Sequence, residues 1–266
     1  MSKFHDKTSI GGPQEGFKTT QWSEIFKAKT TDEDQRNAII NTLLQEYWKP
    51  VYCYIRRKGY DNEQAKDLTQ GFFYEIILGK HLIEQADQAK GKFRTFLLRA
   101  LDHYLISAKR AENAIKRHPL KPLACLEDIN GIALPIASKE MKPDEAFAYV
   151  WASVLLDQVI AEVKQACSID DKKIHWQVFH ARVLKPIMDG GPVPSLSNLC
   201  RKFKIEDQAK ASNMIVTVKR RFQKALSSRV RQHVNSEEDV AQEIAGTLRQ
   251  RGLCAALLPN GWMGLR

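Results

Sequence analysis

Residue types that usually declare a chemistry are scarce in this chain or badly spaced. Its five cysteines (Cys53, Cys125, Cys167, Cys200, Cys254) are scattered and odd in number, with no CxxC pair or Cys/His cluster at zinc-ligand spacing. They read as reduced, mostly buried thiols, and no metal or cofactor is expected. The seven histidines form no HExxH set, and His175 and His180 are not neighbours on a helix. GxxxxGK[ST], GxGxxG and GxSxG are all missing, so no phosphate cradle or nucleophile elbow points to an enzyme. No apolar run reaches the roughly 18 residues of a membrane span. The opening stretch, MSKFHDKTSIGG, lacks the apolar segment of a signal peptide. A cytoplasmic location is the expectation.

What is present is a core and an uneven charge. With 266 residues and 43% hydrophobic content, the chain can build one large or two small domains. The net charge of +10 is concentrated in two places. Residues 90–117 hold eight Lys/Arg against two acids, a net of +6, and residues 201–231 hold ten against two, a net of +8. The rest of the chain is net negative. Two separated basic patches point to a polyanion contacted twice, nucleic acid above all; solvated helix faces are the plain alternative.

Residues 61–79, DNEQAKDLTQGFFYEIILG, are the stretch around which the first half organises. Asp61 or Asn62 can cap a helix that stops at Gly79. Ala65, Leu68, Phe72 and Ile76 fall on one core-facing stripe. The opposite side carries Glu63, Asp67 and Gln70, then Tyr74, Ile77 and Leu78. A face that is half polar and half apolar suits a second protein, unless the helix is buried on both sides.

Upstream, residues 1–19 read as a loose tail, and Thr20 or Ser23 could start a short helix burying Trp22, Ile25 and Phe26. Residues 32–48 predict a helix with Ile39, Ile40, Leu43, Leu44 and Tyr47 on its apolar side. Pro50 breaks or restarts it, and VYCYIRRK continues to a stop at Gly59. Downstream, residues 93–117 predict a long helix with Phe93, Leu97, Ala100, Leu101, Tyr104, Ala108 and Ala111 on one stripe. Thr95, Arg99, His103, Arg110 and Arg117 form a cationic far side. Its aromatics Phe93, Phe96 and Tyr104 either stack on unpaired bases or, as apolar stripes usually do, face the core.

At residues 116–143 the period fades and Pro119, Pro122, Pro135 and Pro143 arrive, which reads as a linker over 118–143. The second half opens with a long helix from about residue 144, burying Phe147, Val150, Trp151, Val154, Leu155 and Val159. Another spans 171–188, with Ile174, Val178, Phe179 and Val183 inward. GGPVP is a break. Ser195 caps a short helix, SLSNLCRKF, a tight turn follows near Lys204 and Ile205, and a long basic helix runs over about 207–234. That order is the helix-turn-helix pattern. On the long helix Ala211, Ile215, Val218, Phe222 and Leu226 face inward, while Asn213, Thr217, Arg220, Lys224 and Arg231 face outward. Asn and Arg are the side chains that read base edges bidentately. Residues 236–266 form a final helix with acids early and Arg249 and Arg251 late, then a weakly apolar tail.

AKDLTQGFF at 65–73 resembles the helix by which bacterial sigma factors of the extracytoplasmic-function type grip core RNA polymerase. FRTFLLRALDHYL at 93–105 is similar to the next segment of that sigma domain, and 195–226 resembles the C-terminal sigma domain. The resemblance covers about residues 20–235. It implies an all-α protein of two helical domains, 20–117 and 144–235, joined by the proline-containing linker, the second carrying the helix-turn-helix. Its implied partners are the clamp helices of the polymerase largest subunit and promoter DNA; it also allows for an inhibitory partner protein. Asp67, Gln70 and Phe73 would face polymerase, with Tyr74 and Ile77 supplying apolar area. Arg94, Arg99, Asp102, His103 and Arg110 would lie along the −10 strand. Ser212, Thr217, Lys219 and Arg220 would meet the −35 duplex, joined by Asn213 and Lys224 from the outward face of the long helix.

The chain departs from the family in three places. Asp102-His103 stands where relatives often have Arg-Asn, and the acid weakens phosphate attraction. Lys204 replaces a common turn glycine. The segment EDQAKASNMIV is one residue longer than the usual pattern, which leaves the register of the reading helix open by about one residue, or about 100°. Two other classes compete. One is a free-standing helix-turn-helix regulator that binds duplex DNA without polymerase. The other is a nucleic-acid enzyme using Asp61, Asp67 and Glu75, for which no third ligand group is in place.

Overall fold

The computed structural model describes residues 33–78, 93–115, 141–231 and 237–250, together with Leu253 and Leu257. The expected tail, the helix around Trp22 and nearly all of the 118–143 linker lie outside them. Among the described residues the chain is all-α, with no strand.

The first helix, α1 (Glu33–Arg57), runs unbroken through Pro50, against the expected break. An internal proline costs about 3 kcal/mol. Here Leu43, Tyr47, Pro50, Val51, Tyr54 and Ile55 are all buried, and that burial outweighs the lost hydrogen bond. Gly59, at φ 99°, turns the chain into α2 (Asn62–Phe72). Asp61 is its cap: its carboxylate accepts from the Gln64 N–H at 2.8 Å, and the Gln64 side chain accepts from the Asp61 N–H at 3.2 Å. The helix then widens into π-helical turns over Phe73–Leu78.

Helix α3 (Phe93–Ile115) crosses close to α2. The approach depends on Gly71, where a Cβ would overlap the Tyr104 hydroxyl. Tyr104 has little room to yield, because its ring packs edge-on against Phe72 with centroids 5.6 Å apart. Gly71→Ala is therefore expected to lower stability. Overpacking costs about 1–3 kcal/mol, against a helix-propensity gain of about 1 kcal/mol. In a Tyr104→Phe background the same change should be neutral or stabilising. Urea midpoints of the four proteins check this; an unchanged midpoint for Gly71→Ala alone would show that the tyrosine swings aside.

The helix at the centre is α4 (Pro143–Ile169), entered through Pro143 at its first turn. Ala146, Phe147, Val150, Trp151, Leu155, Leu156, Val159, Val163 and Cys167 are buried on it, and α1 packs along one side. By length and composition alone it could cross a membrane, although Asp157 interrupts its apolar run, and 56% of its most apolar stretch is buried inside this fold, as in the core helix of a packed bundle.

The chain continues through α5 (Lys173–Phe179), a π-helical segment (His180–Leu184) and α6 (Lys185–Asp189), which ends at left-handed Gly190. Ile174, expected inward, is 46% exposed. Trp176 takes the inner position instead, its ring 6.0 Å from Phe179. Next come α7 (Leu196–Phe203), α8 (Gln208–Arg231) and α9 (Glu237–Gln250). Both α8 and α9 pack on α4. One apolar cluster contains Leu43, Phe72 and Leu101 from one side of the proline-containing segment, with Leu156, Phe222, Ile244 and Leu257 from the other. A smaller cluster, Val178, Leu199, Ile205 and Ala211, holds α5, α7 and α8 together. Leu253 and Leu257, unassigned by sequence, are core residues, and the Gln223 amide donates to the Leu257 carbonyl at 2.9 Å.

Candidate nucleic-acid interface

Three faces carry the residues that the sequence singles out. The first is the outer side of α2 and its π-helical extension. Asp67 is exposed, Gln70 half-buried and Tyr74 67% exposed. Phe73, expected to face a partner protein, is only 5% exposed. Where the helix widens, Phe72 and Phe73 both turn inward, with ring centroids 5.5 Å apart. The inner side also takes Thr69, whose hydroxyl donates to the Ala65 carbonyl at 2.6 Å. The backbone of Ile77 is described, but its side-chain burial is not.

The second face is on α3. Arg99, His103 and Arg110 are exposed in a row with Ile106, as the 3.6-residue period predicts. Phe93, Phe96 and Tyr104 belong to the core or pack against it, so they are not placed to stack on bases. Two further expected DNA contacts are committed within the protein. The Arg94 guanidinium makes a two-pronged bond to the Glu243 carboxylate of α9, with its Nη2–Oε2 arm at 3.0 Å, and lies 4.8 Å over the Trp151 ring. Asp102 ties α3 to the end of α1: the Tyr54 hydroxyl donates to it at 2.9 Å, and Lys58 Nζ is 3.1 Å away. Burial, followed by the bond to Asp102, pushes the Tyr54 phenol up to about 12. Burial alone would lower the Lys58 ammonium, but its bonds to Asp102 and Tyr54 win and raise it. The acid that breaks the cationic character of α3 therefore has an internal partner set.

The third face is on α8. Ser195 caps α7 by accepting from the Asn198 N–H at 3.2 Å. Lys204 takes the left-handed conformation, φ 53° and ψ 47°, that a glycine adopts more cheaply. Ala211, Val218, Phe222 and Leu226 point inward as expected. Asn213, Arg220, Lys224 and Arg231 are exposed; Ser212, Thr217 and Lys219 are half-buried beside them. Not every cation of the basic window faces out. Arg221 pairs with Asp170 at 2.7 Å, and Arg229 with Glu162 at 3.0 Å, both tying α8 to the region of α4. Lys210 pairs with Glu206 at 2.9 Å.

Sequence reasoning missed one neighbour of this face. A shallow hollow of about 350 Å³ lies between α5 and the start of α8, lined by His175, Asp207, Ala209, Lys210, Asn213, Met214 and Thr217. No sequence spacing could have paired His175 with Asn213, because they are on different helices. Burial, then nearby Lys172 and Arg221, lowers the His175 pKa and favours the neutral ring. Among the described residues no group of His, Cys, Asp and Glu could hold a metal ion. Cys53 and Cys167 are buried, and burial pushes the Cys53 thiol up to about 12, far from a reactive thiolate. Comparison with known protein families, characterised proteins and solved structures finds no match to this chain.

Proposed function

We propose that this chain is a sigma-like initiation factor: it binds core RNA polymerase and directs it to promoters through two DNA-contacting faces. The observation that carries the reading is α8. A short capped helix, a left-handed turn and a long helix pack around their own small core, and the long helix presents Asn213, Arg220 and Lys224 to solvent. This is the arrangement a helix-turn-helix needs to enter a major groove. The row of Arg99, His103 and Arg110 on α3 supplies a second polyanion-binding face, and exposed Asp67 and Tyr74 a protein-binding one. In this reading 20–117 and 144–235 act as two functional halves. Opening DNA costs roughly 1.4 kcal/mol per base-pair step. Since the α3 aromatics are spent on the core, polymerase must help hold the strands apart. No covalent chemistry is assigned to the chain.

The test is a titration with promoter-free core RNA polymerase. Tight binding is expected, and Asp67→Ala with Gln70→Ala should weaken it about tenfold or more while the fold survives, since neither side chain is in the core. Unchanged affinity in the double variant would remove this face from the interface. The shared core favours a second reading, a free-standing helix-turn-helix regulator, because it holds both halves in one body. Duplex DNA binding with no affinity for polymerase would select it.

A further inference from the structure

The hollow beside α8 is better suited to a base pair than to a phosphate. Its lining includes the Asp207 carboxylate, which accepts from the Lys210 N–H at 2.6 Å and would repel a phosphate. The lining cation, Lys210, is paired with Glu206. What remains is one amide (Asn213), one imidazole (His175), and the apolar surface of Ala209 and Met214. Thr217 completes the set. Its hydroxyl donates its proton to the Asn213 carbonyl at 2.8 Å, so it offers an approaching molecule a methyl group and an acceptor. In the major groove, adenine presents a donor and an acceptor that an Asn amide meets together, and thymine presents a methyl group that wants apolar contact.

We propose that this hollow reads one adenine·thymine pair, with Asn213 on the adenine edge, Ala209, Met214 and the Thr217 methyl group against the thymine methyl, and His175 reaching the same pair from α5. This rests on the reading of α8 as a duplex-binding helix and adds the base pair it selects. It also adds a contact from outside that helix. Asn213 is therefore the residue that sets specificity here, and Arg220 and Lys224, further along α8, supply attraction to the duplex.

The experiment is selection of bound duplexes from a randomised library by the full chain, at low salt, followed by sequencing. One position is expected to be held as A·T. Asn213→Ala should reduce that preference about tenfold, and His175→Ala should flatten it at the same position. Asn213 is exposed and His175 half-buried outside the core clusters, so both variants should fold. A preference for G·C, or effects of the two variants at different positions, would overturn the inference and leave duplex binding standing. A uniform loss of affinity in both variants would do the same. No duplex binding at all would overturn the reading of α8 itself.

Discussion

Arg94→Ala should lower the unfolding free energy by about 3–5 kcal/mol, on the order of 10 °C in Tm. Arg94 opens α3 and Glu243 sits in the middle of α9, 149 positions further along the chain. The carboxylate side chain is 7% exposed and the guanidinium 24%. Removing the arginine strips a buried acid of a two-pronged partner and takes a cation from the Trp151 face. Replacing both ends by apolar residues of similar volume, Arg94→Met with Glu243→Leu, should restore most of the loss, since a buried pair is costly mainly when half of it remains. Thermal melts of the single and double variants decide the matter. A single-variant loss below about 1 kcal/mol would put the pair in the class of solvated surface bridges. The result also bears on function, because an arginine held this way is not placed to follow a DNA strand.

A comparable loss, about 3–5 kcal/mol, is expected for Phe222→Ala. Phe222 is fully buried on the inner face of α8, its ring 6.5 Å from Phe179 of α5. It belongs to the cluster that includes Leu155, Leu156 and Val159 of α4. Truncation would leave a void that rigid neighbouring helices fill only in part. Phe222→Leu should cost markedly less, because most of the volume stays. On the proposed reading of α8 as a duplex-binding helix, Phe222→Ala should also weaken duplex binding at temperatures where the bulk of the chain is still folded, whereas Phe222→Leu should not. Circular dichroism melts run alongside a duplex titration separate the two effects. Equal stability for the alanine and leucine variants would mean that the site collapses around the gap.

Local order was legible without the fold. The Asp61 cap, the Ser195 cap, the break at GGPVP, the turn at Lys204 and the inward stripe of Ala211, Val218, Phe222 and Leu226 all depend on spacings of a few residues. So does the exposure of Arg99, His103 and Arg110 on α3. Each is a short-range consequence of helix geometry and of which side chains can satisfy a helix end. The all-α character of the described residues follows from the same signals.

The tertiary structure decided what those elements are for. Sequence placed the organising helix at 61–79, whereas α1, α5, α8 and α9 all pack on α4; a period identifies an apolar stripe but not how many neighbours will cover it. Pro50 stays inside α1 because burial against α4 outweighs a lost bond, a comparison with no local signature. Phe73, which only the resemblance turns toward a partner, lies at the edge of the ideal-helix core stripe and goes inward where the helix widens. The resemblance places Arg94 and Asp102 along a DNA strand, but their partners Glu243, Tyr54 and Lys58 lie outside α3. His175 comes to the edge of α8 by the same route. Charge and polarity are properties of a residue, but whether a charge meets solvent, DNA or an internal partner depends on contacts between positions far apart in the chain, and those exist only once the helices have packed.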